Sequence, residues 1–161
     1  MQPKIIPNLW FDTQAEEAAE FYISVFESGR IVNKTHYTAA GPREAGMVMT
    51  VEWELDGQRF VGINGGPQFQ FPEAVSFQIT CETQDEIDHY WDRLSEGGEE
   101  GPCGWLKDRF GLSWQVTPDG MDELFADPDP ERANRAMRAM LEMRKLDIAA
   151  LRSAADRVPA T

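Results

Sequence analysis

Histidine and cysteine are scarce: the 161 residues hold two of each. Cys81 and Cys103 are too few for a disulfide framework and too far apart for a zinc-knuckle spacing, so both read as free thiols. No run of about 18 apolar residues occurs, which excludes a helical membrane span. Basic residues are also short, with 15 Lys and Arg against 28 Asp and Glu and a formal net charge of −13. Nucleic-acid binding draws its affinity from Lys and Arg neutralising phosphates, and a surface this acidic repels them. The basic group Arg132, Arg135, Arg138, Arg144 and Lys145 is interleaved with acids and reads as a solvated helix face. The opening Met1-Gln2-Pro3-Lys4 lacks the basic stretch, apolar run and cleavage site of a signal peptide, so the expected location is cytoplasmic.

What is present is periodic. Residues 4–11 read as a strand, and Thr13-Gln14-Ala15-Glu16 as a capping box opening a helix. Ala15, Ala18, Ala19, Tyr22, Val25 and Phe26 then fall on one helical stripe, and Gly29 is expected to end the helix in the left-handed conformation. Three strands follow, at 30–38, 46–55 and 58–64, with a hairpin signal at Asp56-Gly57. The order then recurs: a strand at 73–81, a capping box at Thr83-Gln84-Asp85-Glu86, and a helix with Ile87, Tyr90, Trp91 and Leu94 on one stripe. Gly97-Gly98 closes that helix. Short strands follow at about 99–101, 104–107 and 112–117, the last after an Asp108-Arg109-Phe110-Gly111 turn.

The halves align at an offset of 70, which maps Thr13, Gln14 and Glu16 onto Thr83, Gln84 and Glu86 and pairs Asn8 with Gln78. A motif match embedded in the same order of elements indicates internal duplication. The expected class is α+β, built from two βαβββ modules at about 1–68 and 72–118 within a domain spanning 1–120. Residues 121–161 form a C-terminal helical extension. There Asp129 caps a helix with Pro130 at its first position, Met137, Met140, Leu141 and Leu146 form an apolar stripe, and Asp147 starts a last helix. The stripe reads as packing onto the domain or onto a second subunit.

A β-α-β-β-β unit used twice, with Phe21-Tyr22 in its first helix, resembles the glyoxalase/vicinal-oxygen-chelate superfamily. Three segments are similar to its PhnB-like branch, often labelled 3-demethylubiquinone-9 3-methyltransferase-like. These are Ala15 through Tyr22, Asn64-Gly65-Gly66-Pro67-Gln68-Phe69, and Cys103-Gly104-Trp105-Leu106 with the run Asp108 through Gln115. The resemblance implies a curved mixed and antiparallel sheet around a central cavity, and a homodimer. Pairing would also cover the exposed sheet edges. It further implies that metal-using relatives place His or Glu on the first and last strand of each half. Here those positions fall at Asn8, Gln78, Gln115 and near Val61, and zinc sites want His, Cys or carboxylate. Neither His36 nor His89 matches the pattern. No metal and no cofactor are therefore expected. A methyl-donor site in a parallel sheet needs a Gly-rich loop between strand and helix, whereas Gly65-Gly66 leads to Pro67 and another strand.

Alternation along strands puts Asn8 with Trp10, and Ser76 with Gln78 and Thr80, on shared faces. With Asn64, Trp114 and Gln115 they form an amide-and-aromatic set suited to a planar or partly apolar small molecule. The expected ligand-binding residues are thus Asn8, Trp10, Asn64, Gln78, Trp114 and Gln115. Cys103 is the one candidate nucleophile, set against its reading as a small side chain in a tight turn. Two functions stay open. One is a metal-independent protein binding a small aromatic or carbonyl-bearing compound. The other is an enzyme on a small metabolite (lyase, isomerase or methyltransferase-like), its neutral amides stabilising an oxyanion.

Overall fold

The computed structural model describes residues 3–157. Expectations that touch Met1, Gln2 and residues 158–161 lie outside the described residues. The chain divides into two compact units, Met1–Phe71 and Pro72–Thr161.

In the first unit, β1 (Asn8–Phe11) leads into α1 (Ala15–Val25), followed by β2 (Arg30–His36), β3 (Val48–Leu55) and β4 (Gln58–Asn64). The sheet order is β1-β4-β3-β2. The β1–β4 pair is parallel and the other pairs are antiparallel. The second unit repeats this order with β5 (Phe77–Cys81), α2 (Gln84–Ser95), β6 (Glu99–Glu100), β7 (Trp105–Lys107) and β8 (Ser113–Pro118). Its sheet runs β5-β8-β7-β6, again with the first and last strands parallel. The second unit continues through α3 (Met121–Phe125), α4 (Pro130–Leu141) and α5 (Ile148–Asp156). Two four-stranded mixed sheets of identical topology establish the α+β class and the repeated module. Among the described residues no helix is long and apolar enough to cross a membrane.

Each helix covers one sheet face. Ala15, Ala18, Ala19, Tyr22 and Val25 of α1 are buried, as are Leu9, Phe11, Val51, Trp53, Leu55 and Phe60 on the strands. The Trp53 ring stacks against Phe60 at 5.7 Å and Tyr22 at 6.0 Å. In the second unit Ile87, Trp91 and Leu94 of α2 are buried, with Ile79, Cys81, Leu106, Trp114 and Val116 on the strands. Burying a large apolar side chain is worth roughly 1.5–3 kcal/mol, so these faces drive assembly. The β3–β4 turn is the expected hairpin: Asp56 and Gly57 both have positive φ, at 48° and 77°, as a type I′ turn requires.

Several expectations are corrected. The first strand begins at Asn8, not residue 4; Pro7 has no N–H for the ladder, though its carbonyl accepts from Val61 at 3.0 Å. Gly29 does not have positive φ. The first helix ends at Val25, and what favours glycine at 29 is the Ile23 Cα, which an added Cβ would approach to 2.8 Å. The first capping box does not form. The N-cap of α1 is Gln14, with no side-chain cap bond, and the Ala15 amide donates instead to Asn64 Oδ1 at 2.9 Å. The second box is complete, with Thr83 accepting from Glu86 and the Glu86 side chain reaching back. The cause is a one-residue slip: Leu9 and Phe11 stand 70 positions before Ile79 and Cys81, but Ala18, Tyr22 and Val25 stand 69 before Ile87, Trp91 and Leu94. Thr13 is thus one residue too early to cap.

In the extension, Asp129 and Asp147 cap α4 and α5 as expected. The apolar stripe is only partly packed: Leu146 is fully buried, whereas Met137 and Leu141 are exposed and Ala136 is the buried residue of α4. The Gln84 side chain ties the extension to α2, donating to Leu146 O and accepting from the Ile148 amide.

Thr83→Ala is expected to cost about 1 kcal/mol, and Thr13→Ala a few tenths at most. Asn64→Ala, which strands the buried Ala15 amide and the Val48 carbonyl, is expected to cost about 2–3 kcal/mol. Urea denaturation of the three variants checks this order; equal losses at the two threonines would contradict it.

Candidate functional site

Because α1 and α2 each cover one face, the candidate side chains are those on the opposite, open face of each sheet. In the first unit the open face carries Asn8 and Trp10 of β1 beside Val61 and Ile63 of β4, in register. Glu52 and Thr50 of β3 continue those rows. Asn8 is exposed, and its Nδ2 donates to Ile6 O at 3.0 Å. Trp10 is half-buried, with its indole N–H donating to Gly66 O at 2.9 Å and its ring meeting Phe69 edge-on at 5.1 Å. The Gly65-Gly66 pair is therefore a turn shaped around an indole: a Cβ at Gly65 would lie 2.2 Å from the Trp10 ring. Asn64 does not share this face. It is 2% exposed, and its carboxamide is committed to Ala15 N and to Val48 O at 3.1 Å.

In the second unit Gln78 and Gln115 are direct register partners, and Gln115 also pairs with Trp105. Gln78 Nε2 donates to Thr117 Oγ1 and Gln115 Nε2 to Ser76 Oγ, each at 2.9 Å. Among the described residues these are the only hydrogen bonds of the two carboxamides, leaving each its oxygen and one N–H. Trp114 is not beside them. It is 3% exposed on the helix side, its ring tilted against Phe77 and its indole N–H donating to Asp108 Oδ2 at 2.9 Å.

Cys103 lines a cavity of about 410 Å³ on the open side of β7, together with Trp105, Lys107, Ser113, Glu73 and Glu99. Its backbone is left-handed, φ 57°, fixed by bonds from Cys103 N to Met143 O and from Gly104 N to Arg144 O, both 2.8 Å. Both earlier readings meet here, a thiol at a cavity and a small residue in a tight turn. Lys107 is ion-paired with Glu73, and that hydrogen bond raises its pKa above the ordinary lysine value. Cys81 lies in the core, and burial pushes its thiol up to about 12, with Glu86 adding to the shift.

Sequence reasoning missed the charged residues of the open faces. Glu52 pairs with Arg59, both mostly buried, and Arg30 with Glu54 at 3.1 Å. The signal was available in the alternation Thr50-Val51-Glu52-Trp53-Glu54-Leu55, which sends the carboxylates away from the helix. Glu52 sits one strand from Val61, but its carboxylate is held by Arg59. Among the described residues no group of three or more His, Cys, Asp or Glu converges to hold a metal ion. The positions expected of metal ligands are Asn8, Val61, Gln78 and Gln115, a donor set that does not fit zinc.

Residues 3–117 match the family model described as 3-demethylubiquinone-9 3-methyltransferase. A Bacillus cereus PhnB protein assigned to the same methyltransferases, though not established as one, is 36% identical, covering 72% of this chain and 99% of its own, with a TM-score of 0.64. The chain belongs to this family. Protein PA1353 from Pseudomonas aeruginosa, at 19% identity and TM-score 0.58, covers 74% of this chain and 99% of its own. The fosfomycin resistance protein FosX from Listeria monocytogenes, at 11% and 0.52, covers 76% and 98%. These two share the fold. Among curated proteins none matches the chain.

Gly65→Ala is expected to destabilise by about 1–3 kcal/mol through overpacking against Trp10, read as a lower urea midpoint. Iodoacetamide at pH 8 is expected to alkylate Cys103 in the native protein and to leave Cys81 unmodified until denaturant is added. Peptide mass spectrometry distinguishes the two sites.

Proposed function

We propose that this PhnB-like protein binds a small aromatic or carbonyl-bearing compound, without a metal, on the open face of its second unit. The observation that carries this reading is the row Gln78–Gln115–Trp105. Two adjacent carboxamides, each steadied by one hydroxyl, keep an oxygen and an N–H for a ligand, and an indole stands beside them. A planar carbonyl compound uses both parts, accepting from the amides and stacking on the ring. Trp10 and Asn8 make the corresponding polar and aromatic pair on the first unit. The open edges of both sheets support pairing of two chains, and the proposal keeps the protein in the cytoplasm.

The test uses 3-acetylindole, a neutral aromatic ketone, as the probe in calorimetric titration of the full chain. Saturable binding is expected, weakened about tenfold in a Gln78→Ala/Gln115→Ala double variant, as the loss of two modest hydrogen bonds implies. Prior treatment with EDTA is expected to change nothing. Loss of binding on chelation, or indifference to the double variant, would overturn the reading.

A further inference from the structure

The cavity beside the amide row has a charge that the row itself lacks. Its lining residues include three acids, Glu73, Glu99 and Glu100, against the single lysine Lys107. Two of those carboxylates are occupied: Glu73 by Lys107, and Glu100 by the Trp91 indole N–H at 3.1 Å. Glu99 makes no hydrogen bond or ion pair among the described residues, and it stands directly opposite Lys107 in the β6–β7 register. Its carboxylate adds to the field that keeps Lys107 protonated.

A second feature points to an occupant. Ser113 lines the same cavity, is 1% exposed, and its hydroxyl is buried without a hydrogen-bond partner. Pairing with Lys107 places Ser113 on the face shared by Trp105 and Lys107, not on the α2 side with Leu106 and Trp114. Buried polar groups are rarely left unpaired, and a donor entering from the cavity would satisfy this one. Trp105 adds a ring face, which attracts a cation within about 6 Å of its centroid. At about 410 Å³ the space falls within the roughly 300–1,000 Å³ of small-molecule sites.

We infer that the ligand of this face is a cation: an ammonium group on a flat apolar body, its charge held at Glu99 and the ring face of Trp105, its N–H donated to Ser113. This deepens the proposed function and rests on it, since the ring would lie along the row that Trp105 shares with Gln115. A carboxylate-bearing analogue is disfavoured by the excess of acid around the cavity.

The experiment compares three probes of similar shape by calorimetric titration: tryptamine, 3-acetylindole and indole-3-propionate. Tryptamine is expected to bind at least tenfold more tightly than 3-acetylindole, with indole-3-propionate showing no saturable binding. Glu99→Gln, a change on an exposed two-residue strand, is expected to weaken tryptamine about fivefold and to leave 3-acetylindole unchanged. Ser113→Ala, which removes an unpaired hydroxyl, is expected to preserve the melting temperature yet weaken tryptamine. If 3-acetylindole binds and tryptamine binds no better, or if Glu99→Gln leaves tryptamine unchanged, the cation site is wrong while the amide-face reading survives. If none of the three binds, both are wrong.

Discussion

The parallel pairing of first and last strand in each unit is the constraint on which the rest depends. Parallel neighbours cannot be joined by a tight turn, so the chain must leave β1 or β5 through a crossover and return by a meander. The crossover is α1 in one unit and α2 in the other, and each helix covers one sheet face. The opposite face is thereby left for polar side chains. Register follows from the same pairing: Asn8 lies against Val61, and Gln78 against Gln115. A slip of one residue would turn Leu9 and Phe11, or Ile79 and Cys81, away from their helix. The burial that stabilises each unit therefore also sets which side chains are adjacent on the open face.

One backbone plan carries two chemistries. The first unit places the Glu52–Arg59 and Glu54–Arg30 pairs on its open face, where cations and carboxylates largely neutralise one another. The second places neutral carboxamides there and gathers its surplus acid at the β6–β7 edge. The units also cap their helices differently. Thr83 caps α2 locally, whereas α1 borrows the carboxamide of Asn64 from the end of β4. That borrowing keeps Asn64 on the helix side, 2% exposed, with its oxygen on the Ala15 amide and one N–H on the Val48 carbonyl.

Architecture was legible in the sequence because it rests on period and order. The alternation of strands, the helical stripes, the Asp56-Gly57 turn and the repeat all survive in the structure, although the strands expected from residues 4 and 73 begin only at Asn8 and Phe77. The sequence misled where one residue decides the outcome. A match of Thr, Gln and Glu at a single offset looked like two capping boxes, but the β1–α1 connection is one residue longer than its counterpart, and a cap depends on exact position. Trp114 and Asn64 were grouped with the amides by strand order, while their orientation depends on long-range partners, Asp108 for one and the α1 terminus for the other. The ion pair of Glu52 with Arg59 was likewise invisible to a reading that looked for metal ligands and not for charge on alternate residues.

Asp108 shows how the second unit fixes its open face from behind. This carboxylate is 2% exposed. It accepts from the Phe110 and Leu112 amides, at 2.8 and 3.1 Å, and from the Trp114 indole. Three donors on one buried carboxylate hold the β7–β8 turn closed and pin Trp114 to the helix side. Since side chains alternate along a strand, pinning Trp114 inward obliges Ser113 and Gln115 to point the other way, toward the cavity and the amide row. Trp114, held on the helix side, is thus the residue that turns its two neighbours onto the open face. A carboxyl group buried there serves positional precision, which the proposed site of neutral amides needs more than a metal centre does. A metal gathers its own ligands, whereas two carboxamides recognise a carbonyl only where the strand register has already set them side by side.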